Sequence, residues 1–143
     1  MIKFISSQDT LALRSPVLRD GAEPELCSFE GDDDELSFHL GYFKDDIQVC
    51  VASFHQQGRE GFSGTGYQLR GMATLPSFQG MGIGNQLVNF SIVYLRGLKA
   101  NYLWCNARKA AFRFYTGLGF EFISEEFEIP GIGPHRAMYV KIQ

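Results

Sequence analysis

Three glycines at alternate positions constrain this chain more than any other feature of its sequence. Gly80, Gly82 and Gly84 lie in the segment FQGMGIGNQLVNF, residues 78–90, and apolar residues at helical spacing follow them directly. A helix N-terminus exposes unpaired N–H groups with a partial positive charge, and residues without a Cβ let the backbone close around a phosphate. The segment therefore predicts a pyrophosphate-binding loop; the alternative is a tight turn that needs positive φ.

The two best-known nucleotide-binding loops do not fit these glycines. The dinucleotide fingerprint G-x-G-x-x-G needs glycine where the chain has Asn85, and it belongs after the first strand of a βαβ unit. The P-loop ends in G-K-[ST], whereas Gly84 is followed by Asn85 and Gln86. A nucleotide-binding fold is thus the weaker interpretation, and it predicts competition by NAD or ATP.

The whole chain, residues 1–143, reads as one domain of mixed α/β class. Three helices are predicted at 11–18, 87–98 and 107–118, the first with Ser6, Ser7 or Asp9 as its N-cap and the third closed by Gly119. Runs of β-branched and aromatic residues predict seven strands, at Ile2–Ile5, Leu36–Phe43, Ile47–Phe54, Tyr67–Leu75, Tyr102–Cys105, Phe120–Ile129 and Ala137–Ile142.

Composition limits the classes of partner. A net charge of −3 argues against a nucleic-acid partner. The sequence has no run of 18 apolar residues, so no membrane span is predicted. The N-terminus lacks the apolar region of a signal peptide. Cys27, Cys50 and Cys105 form neither a C-x-x-C motif nor a zinc spacing, so they read as reduced, buried thiols of a cytoplasmic protein without a metal site.

Two motifs together resemble the GNAT superfamily of N-acyltransferases, including its small bacterial members. After a strand and Pro76, the run Gln79–Gly84 matches the family loop [QR]-x-x-G-x-[GA] at every fixed position. A second family mark, N-x-x-A-x-x-F-Y-x-x-x-G-F, corresponds to Asn106, Phe114-Tyr115 and Gly119-Phe120, with its alanine at 110, one residue off the usual column, or at 111. The order of elements also matches, so the resemblance covers almost the whole chain.

This resemblance implies a central mixed, mostly antiparallel sheet of about seven strands, flanked by helices and splayed between the fourth and fifth strands. Acetyl-CoA would enter the gap as co-substrate. Backbone N–H groups of the glycine loop would hold its pyrophosphate, and the edge of the fourth strand would pair with the pantetheine arm. The implied cofactor-binding residues are Met72, Ala73, Thr74, Gln79, Gly80, Met81, Gly82, Ile83, Gly84 and Asn106.

Tyr115 occupies the position from which the family protonates the departing sulfur. A phenol with a pKa near 10 suits proton donation to a thiolate of similar basicity. The alternative is a core aromatic beside Phe112 and Phe114. Asn106 ends an apolar strand, where its side chain either reaches the CoA arm or caps the next helix.

The general base is less defined, and the histidines are its first candidates because the pKa of histidine suits proton removal near neutral pH. His55 ends a strand near the expected substrate cleft, and His135 follows a Gly/Pro loop that could line it. His39 reads as a satisfied sheet residue. Ordered water or Glu23 could serve instead.

The charged segments read as surface features in the first instance. The acidic run 30–35 could attract an ammonium group, but a solvated loop is the commoner explanation. Arg108 and Lys109 could contact the 3′-phosphate of CoA or could be ordinary surface charges.

The expected function is an N-acetyltransferase that moves acetyl from acetyl-CoA to a primary amine of a small molecule or peptide. The rival is a non-catalytic acyl-CoA-binding module. The sequence does not determine the oligomeric state, although the resemblance allows a homodimer because paired subunits are common in the family.

Overall fold

The computed structural model describes all 143 residues, and its contacts divide the chain into two compact units. The first unit comprises Met1–Gln56 and Leu69–Phe90, and the second comprises Gln57–Gln68 and Ser91–Gln143. Strand β4 (Gly66–Thr74) and helix α2 (Ile83–Gly97) each contribute residues to both units. The prediction of a single domain over 1–143 stays a prediction.

The first unit is built on an antiparallel hairpin. Strand β2 (Phe38–Lys44) pairs with β3 (Ile47–Gln56) on one side and with β1 (Ile2–Ile5) on the other. Asp45 and Asp46 form the hairpin turn with φ of 50° and 65°, the left-handed pair of a two-residue turn that aspartate tolerates. The predicted hairpin is confirmed.

Helix α1 (Ser7–Leu18) covers one face of this unit. Ser6 caps it in a capping box: its Oγ accepts the N–H of Asp9, and the Asp9 carboxylate accepts the N–H of Ser6. Leu13 of the helix packs in one buried cluster with Val51 of β3 and Ala73 of β4. The predicted first helix and its cap are confirmed, and this packing fixes the second half of β4 against the hairpin.

The second unit is organised around β8 (Gly133–Lys141), which pairs antiparallel with β5 (Tyr102–Arg108), β6 (Glu121–Phe122) and β7 (Phe127–Ile129). The parallel partner of β5 is β4, over Gly66–Gln68 and Tyr102–Trp104. A parallel pair needs a crossover, and α2 supplies it. The mostly antiparallel fold class and the splayed β4–β5 pair are confirmed.

The count of seven strands is wrong, because the predicted strand Phe120–Ile129 is two short strands and the sheet has eight. Between β6 and β7 the Ser124 hydroxyl accepts the N–H of Ala137 at 2.8 Å, so a side chain replaces a backbone partner. The final strand also begins at Gly133 instead of Ala137, which leaves a tight turn at 129–133.

The third helix is also shorter than predicted. Strand β5 continues to Arg108, a single 3-10 turn follows at Lys109–Ala111, and α3 covers only Phe112–Gly117. Gly119, with φ of 93°, turns the chain after it, as its predicted role requires. The conversion of the start of the helix to strand places Asn106 inside the β5–β8 ladder, opposite Ala137.

Candidate active site

The glycine corner, residues 79–85, combines backbone of positive φ with a surface that is open to solvent. Gly80 and Gly82 have φ of 76° and 78°, so the requirement for positive φ accounts for two of the three glycines. Both are exposed, and a Cβ at either position would meet no atom within 4 Å. The surface in front of the corner is therefore open to a ligand.

The amides of the corner are available as well. The first hydrogen bond of helix α2 runs from the N–H of Gln86 to the carbonyl of Gly82, at 3.1 Å. The N–H groups of residues 83–85 therefore stand outside the helical ladder, as at any helix N-terminus, where the helix dipole favours an anion. The corner fits a diphosphate.

Hydrogen bonds fasten the corner to the end of β4. The side-chain amide of Gln79 donates to the carbonyl of Thr74 at 3.1 Å, and the N–H of Leu75 donates to the carbonyl of Val49 at 2.9 Å. The Thr74 hydroxyl donates to the Cys50 sulfur at 3.2 Å. The Gln79 side chain thus fixes the position of the glycine corner relative to the end of β4.

Met72, Ala73 and Thr74 divide between the two faces of β4. Ala73 is buried in the cluster beneath α1, while Met72 and Thr74 both contact Cys50, the former at 4.0 Å between sulfur atoms. Burial raises the pKa of Cys50, which keeps it a neutral thiol. The first unit thus carries all of the predicted cofactor residues except Asn106.

Tyr115 lies in the second unit, on α3, and is buried. Its ring packs against Phe114 and Phe120, with centroids at 4.9 Å and 5.2 Å. Its hydroxyl is hydrogen-bonded to Cys105 of β5. Burial raises the pKa of Cys105 to about 12, against a smaller opposing effect of that hydrogen bond, so the neighbour of the phenol is a neutral thiol.

Asn106 does not cap a helix, so that interpretation is wrong. Both helical segments after β5 begin without a side-chain cap, at Arg108 and at Ala111. The side chain of Asn106 is exposed, while its backbone pairs with β8. Because β5 continues to Arg108, the first helical segment begins at Lys109, too far along the chain for Asn106 to be its N-cap.

His135 was expected to follow a loop, but the structure places it inside β8, where it is buried. Its Nδ1 is 2.8 Å from the carbonyl of Gly133, and its ring stacks on Phe127 with centroids 6.0 Å apart. A ring nitrogen beside a carbonyl carries the proton, so Nδ1 is the donor.

The first unit also holds a buried ion pair that the sequence reasoning missed. Arg14 of α1 is fully buried and binds Asp32 through two hydrogen bonds, of 2.7 Å and 3.1 Å. Asp32 belongs to the acidic run 30–35, so the solvated-loop interpretation fails at this residue and holds for the exposed Asp33, Asp34 and Glu35. One signal could have found the pair: Arg14 shares the apolar stripe of α1 with Leu11 and Leu18, where a charge needs a partner.

Two histidines complete this ion-pair network. His55 Nε2 lies 2.9 Å from Asp32 Oδ1, while His39 bridges the Ser53 hydroxyl at 2.7 Å and the Asp32 carbonyl at 2.8 Å. Burial alone would raise the pKa of Asp32, but hydrogen bonds from His55 and Arg14 outweigh it and hold the pKa of the carboxyl well below its usual range. Burial lowers the pKa of His39, which stays neutral, and its interpretation as a satisfied sheet residue is confirmed.

The family model described as the Acetyltransferase (GNAT) family matches residues 7–120, which include the glycine corner and Tyr115. The chain belongs to this family. The GNAT membership confirms the predictions of an acetyltransferase and of acetyl-CoA as its co-substrate.

Individual relatives agree with the family match. The chain is 37% identical over 139 residues to the uncharacterised N-acetyltransferase YitI of Bacillus subtilis (strain 168), covering 96% of this chain and 93% of that one. The ribosomal-protein-S18-alanine N-acetyltransferase of Escherichia coli aligns with a TM-score of 0.75 at 18% identity, over 100% and 94% of the two chains. An aminoglycoside 6′-N-acetyltransferase in complex with coenzyme A aligns with a TM-score of 0.74 at 15% identity, over 100% and 97%.

Three further observations describe the rest of this GNAT chain. All three cysteines are free and buried, as predicted. No group of three or more His, Cys, Asp or Glu side chains is arranged to hold a metal ion. None of the helices combines the length and apolar character that crossing a membrane requires.

Proposed function

We propose that this GNAT protein transfers the acetyl group of acetyl-CoA to a primary amine by direct attack. The observation that carries the proposal is the glycine corner: exposed residues of positive φ, at a strand-to-helix junction, with main-chain amides outside the helical ladder. The acceptor is a small molecule or a peptide amine. We also infer a cytoplasmic location and a paired assembly, on the family resemblance and the three free thiols.

Binding of the co-substrate would use main-chain groups above all. The diphosphate would accept hydrogen bonds from the N–H groups of Gly80–Gly84, aided by the dipole of α2. The pantetheine arm would lie along Met72–Thr74, where strand edges offer matching donors and acceptors to its amides. Asn106, whose side chain is exposed, is the remaining residue that the family resemblance implies for the arm.

The chemical step needs a neutral amine, a stabilised oxyanion and a leaving group that gains a proton. The amine nitrogen forms a bond to the thioester carbon, and an N–H near Ala73 or Thr74 would stabilise the oxyanion. The C–S bond then breaks, and Tyr115 would donate its proton to the sulfur. The proton lost by the amine restores the phenol through solvent. The neutral Cys105 beside Tyr115 favours this role, because it does not take the phenol proton.

Two histidines stay candidates for the group that accepts the proton of the amine. Each ring has one nitrogen within hydrogen-bond distance of an oxygen, His55 Nε2 of Asp32 and His135 Nδ1 of Gly133. The other nitrogen of each ring is the atom that would accept the proton. His55 also has the carboxylate partner that orients many basic histidines.

The first test combines thermal unfolding with a thiol-release assay. Acetyl-CoA is expected to raise the unfolding temperature, since a ligand that binds only the native state stabilises it by about 2.7 kcal/mol at a concentration of 100 Kd. S-acetylpantetheine, which lacks the diphosphate, should protect far less. Release of CoA thiol should require an amine and show up in a panel of amino acids, polyamines, aminoglycosides and peptides.

Each outcome of this test separates the proposal from a rival. Protection by acetyl-CoA without thiol release from any amine would support the non-catalytic acyl-CoA-binding module. Protection by NAD or ATP in place of acetyl-CoA would contradict the co-substrate itself.

A further inference from the structure

Arg70 of β4 is a half-buried guanidinium without an anionic partner. It forms neither a hydrogen bond nor an ion pair through its side chain, and it lies over the ring of Phe29, 4.4 Å from the centroid. Arg14 and Arg19 lie over the same ring, at 3.8 Å and 5.8 Å. Burial lowers the pKa of Arg70, the charge of Asp32 opposes this effect, and the charges of the two arginines add to it, but a guanidinium stays protonated in proteins. Three cations thus surround one aromatic ring.

The nearby carboxylate, Asp32, has no capacity left for Arg70. Its Oδ1 receives hydrogen bonds from Arg14 and His55, and its Oδ2 receives them from Arg14 and the N–H of Phe29. These four bonds fill the acceptor sites of a carboxylate. The three arginines around Phe29 therefore carry more positive charge than Asp32 balances, and the excess lies on Arg70 and Arg19.

The residue after Arg70 is a glycine in the left-handed conformation. Gly71 has φ of 63°, and a Cβ there would lie 2.8 Å from the Phe29 ring and 3.0 Å from Arg14 Nε. Only glycine fits that position, so the backbone departs from regular strand geometry directly after Arg70. The guanidinium of Arg70 lies over Phe29, the ring that also limits the space at Gly71.

The position of Arg70 along β4 indicates which molecule supplies the missing anion. On the proposed function, the diphosphate of CoA lies at residues 79–84 and the pantetheine arm runs back along Met72–Thr74. Arg70 precedes that segment, so it lies past the thioester end of the arm and not at the phosphate end. The anion would then belong to the acceptor.

We infer that Arg70, with Arg19 beside it, binds an anionic group of the amine acceptor, so that the substrate class is an amine that carries a carboxylate or a phosphate. This inference rests on the proposed function and deepens it. The planar fork of arginine matches both oxyanions with two parallel hydrogen bonds. The cation–π contact with Phe29 holds the guanidinium beside the loop that follows α1.

The experiment compares matched amines in the thiol-release assay. Each common amino acid with a primary amine is paired with its carboxamide, and O-phosphoethanolamine is paired with ethanolamine. The wild type is expected to prefer one anionic series by tenfold or more in kcat/KM. Arg70→Gln should lower kcat/KM for that series by about 10- to 100-fold, mainly through KM, because one charge-assisted contact is lost. Its KM for acetyl-CoA should be unchanged.

Controls separate the inference from folding and from the proposed function. Arg96→Gln removes the same charge from an exposed site and should change nothing, and Arg70→Lys should retain only part of the preference. Equal rates with the neutral partners, or an undiminished preference in both Arg70 variants, would overturn the inference while leaving the acetyltransferase intact. If acetyl-CoA binds but no amine reacts, the thermal unfolding of the CoA complex is measured with anionic amines, in the wild type and in Arg70→Gln. A rise in unfolding temperature confined to the wild type supports the anion site. No rise in either protein contradicts it.

Discussion

Replacing Tyr115 with phenylalanine is expected to leave the binding of acetyl-CoA unchanged and to lower kcat by about 10²- to 10⁴-fold, the usual range for a lost general acid. The substitution removes one oxygen atom. The ring retains its contacts with Phe114 and Phe120, and the hydrogen bond to Cys105 is lost. Calorimetric titration with acetyl-CoA and steady-state thiol release measure the two quantities separately.

Tyr102→Phe is the matched control for this prediction. Tyr102 is similarly buried, in the same unit, and its hydroxyl accepts the N–H of Arg59 at 2.7 Å. A loss of kcat in both variants would trace the effect to a general loosening of the unit. Full activity of Tyr115→Phe would remove this residue from the mechanism and leave it as a core aromatic.

The second large effect is expected at Gly82, where aspartate should weaken acetyl-CoA binding by about 100-fold. A carboxylate introduced here would stand beside the diphosphate, and like charges a few ångströms apart repel by roughly 1 to 4 kcal/mol, depending on the local dielectric. Aspartate tolerates positive φ better than most residues, so the φ of 78° at Gly82 is kept at low cost. Calorimetry with acetyl-CoA gives the affinity directly.

Two further variants separate charge from strain at this position. Gly82→Asn has the same shape without the charge and should lose much less affinity. Gly21→Asp places the same residue at the same φ of 78°, also with no atom within 4 Å of its Cβ, but away from the corner. If Gly21→Asp weakens binding as much as Gly82→Asp, the effect is one of overall charge and the corner is not the diphosphate site.

The features that the sequence predicted well are those with local physical causes. The N-cap at Ser6, one of three candidates, the Asp45-Asp46 turn and the glycine corner are each decided within a few residues. Positive φ, a free helix N-terminus and a Pro-terminated strand suffice to place a loop that can hold a phosphate. The family motifs added the identity of the ligand.

The features that were missed depend on contacts between distant parts of the chain. Arg14 and Asp32 are 18 residues apart, and no local pattern shows that one acidic residue of a polar run turns inward. The break between β6 and β7 depends on Ser124 accepting the N–H of Ala137, 13 residues away. The extension of β5 past Asn106 requires the ladder to β8. Tertiary partners decided each of these outcomes over local propensity.

A crystal structure of the protein with bound coenzyme A tests the central claim most directly. Diphosphate oxygens within about 3.2 Å of the main-chain nitrogens of residues 80–84 are the expected result, since that is the range of an N–H···O hydrogen bond. Electron density for the diphosphate elsewhere on the protein, with these nitrogens facing only solvent, would contradict the account.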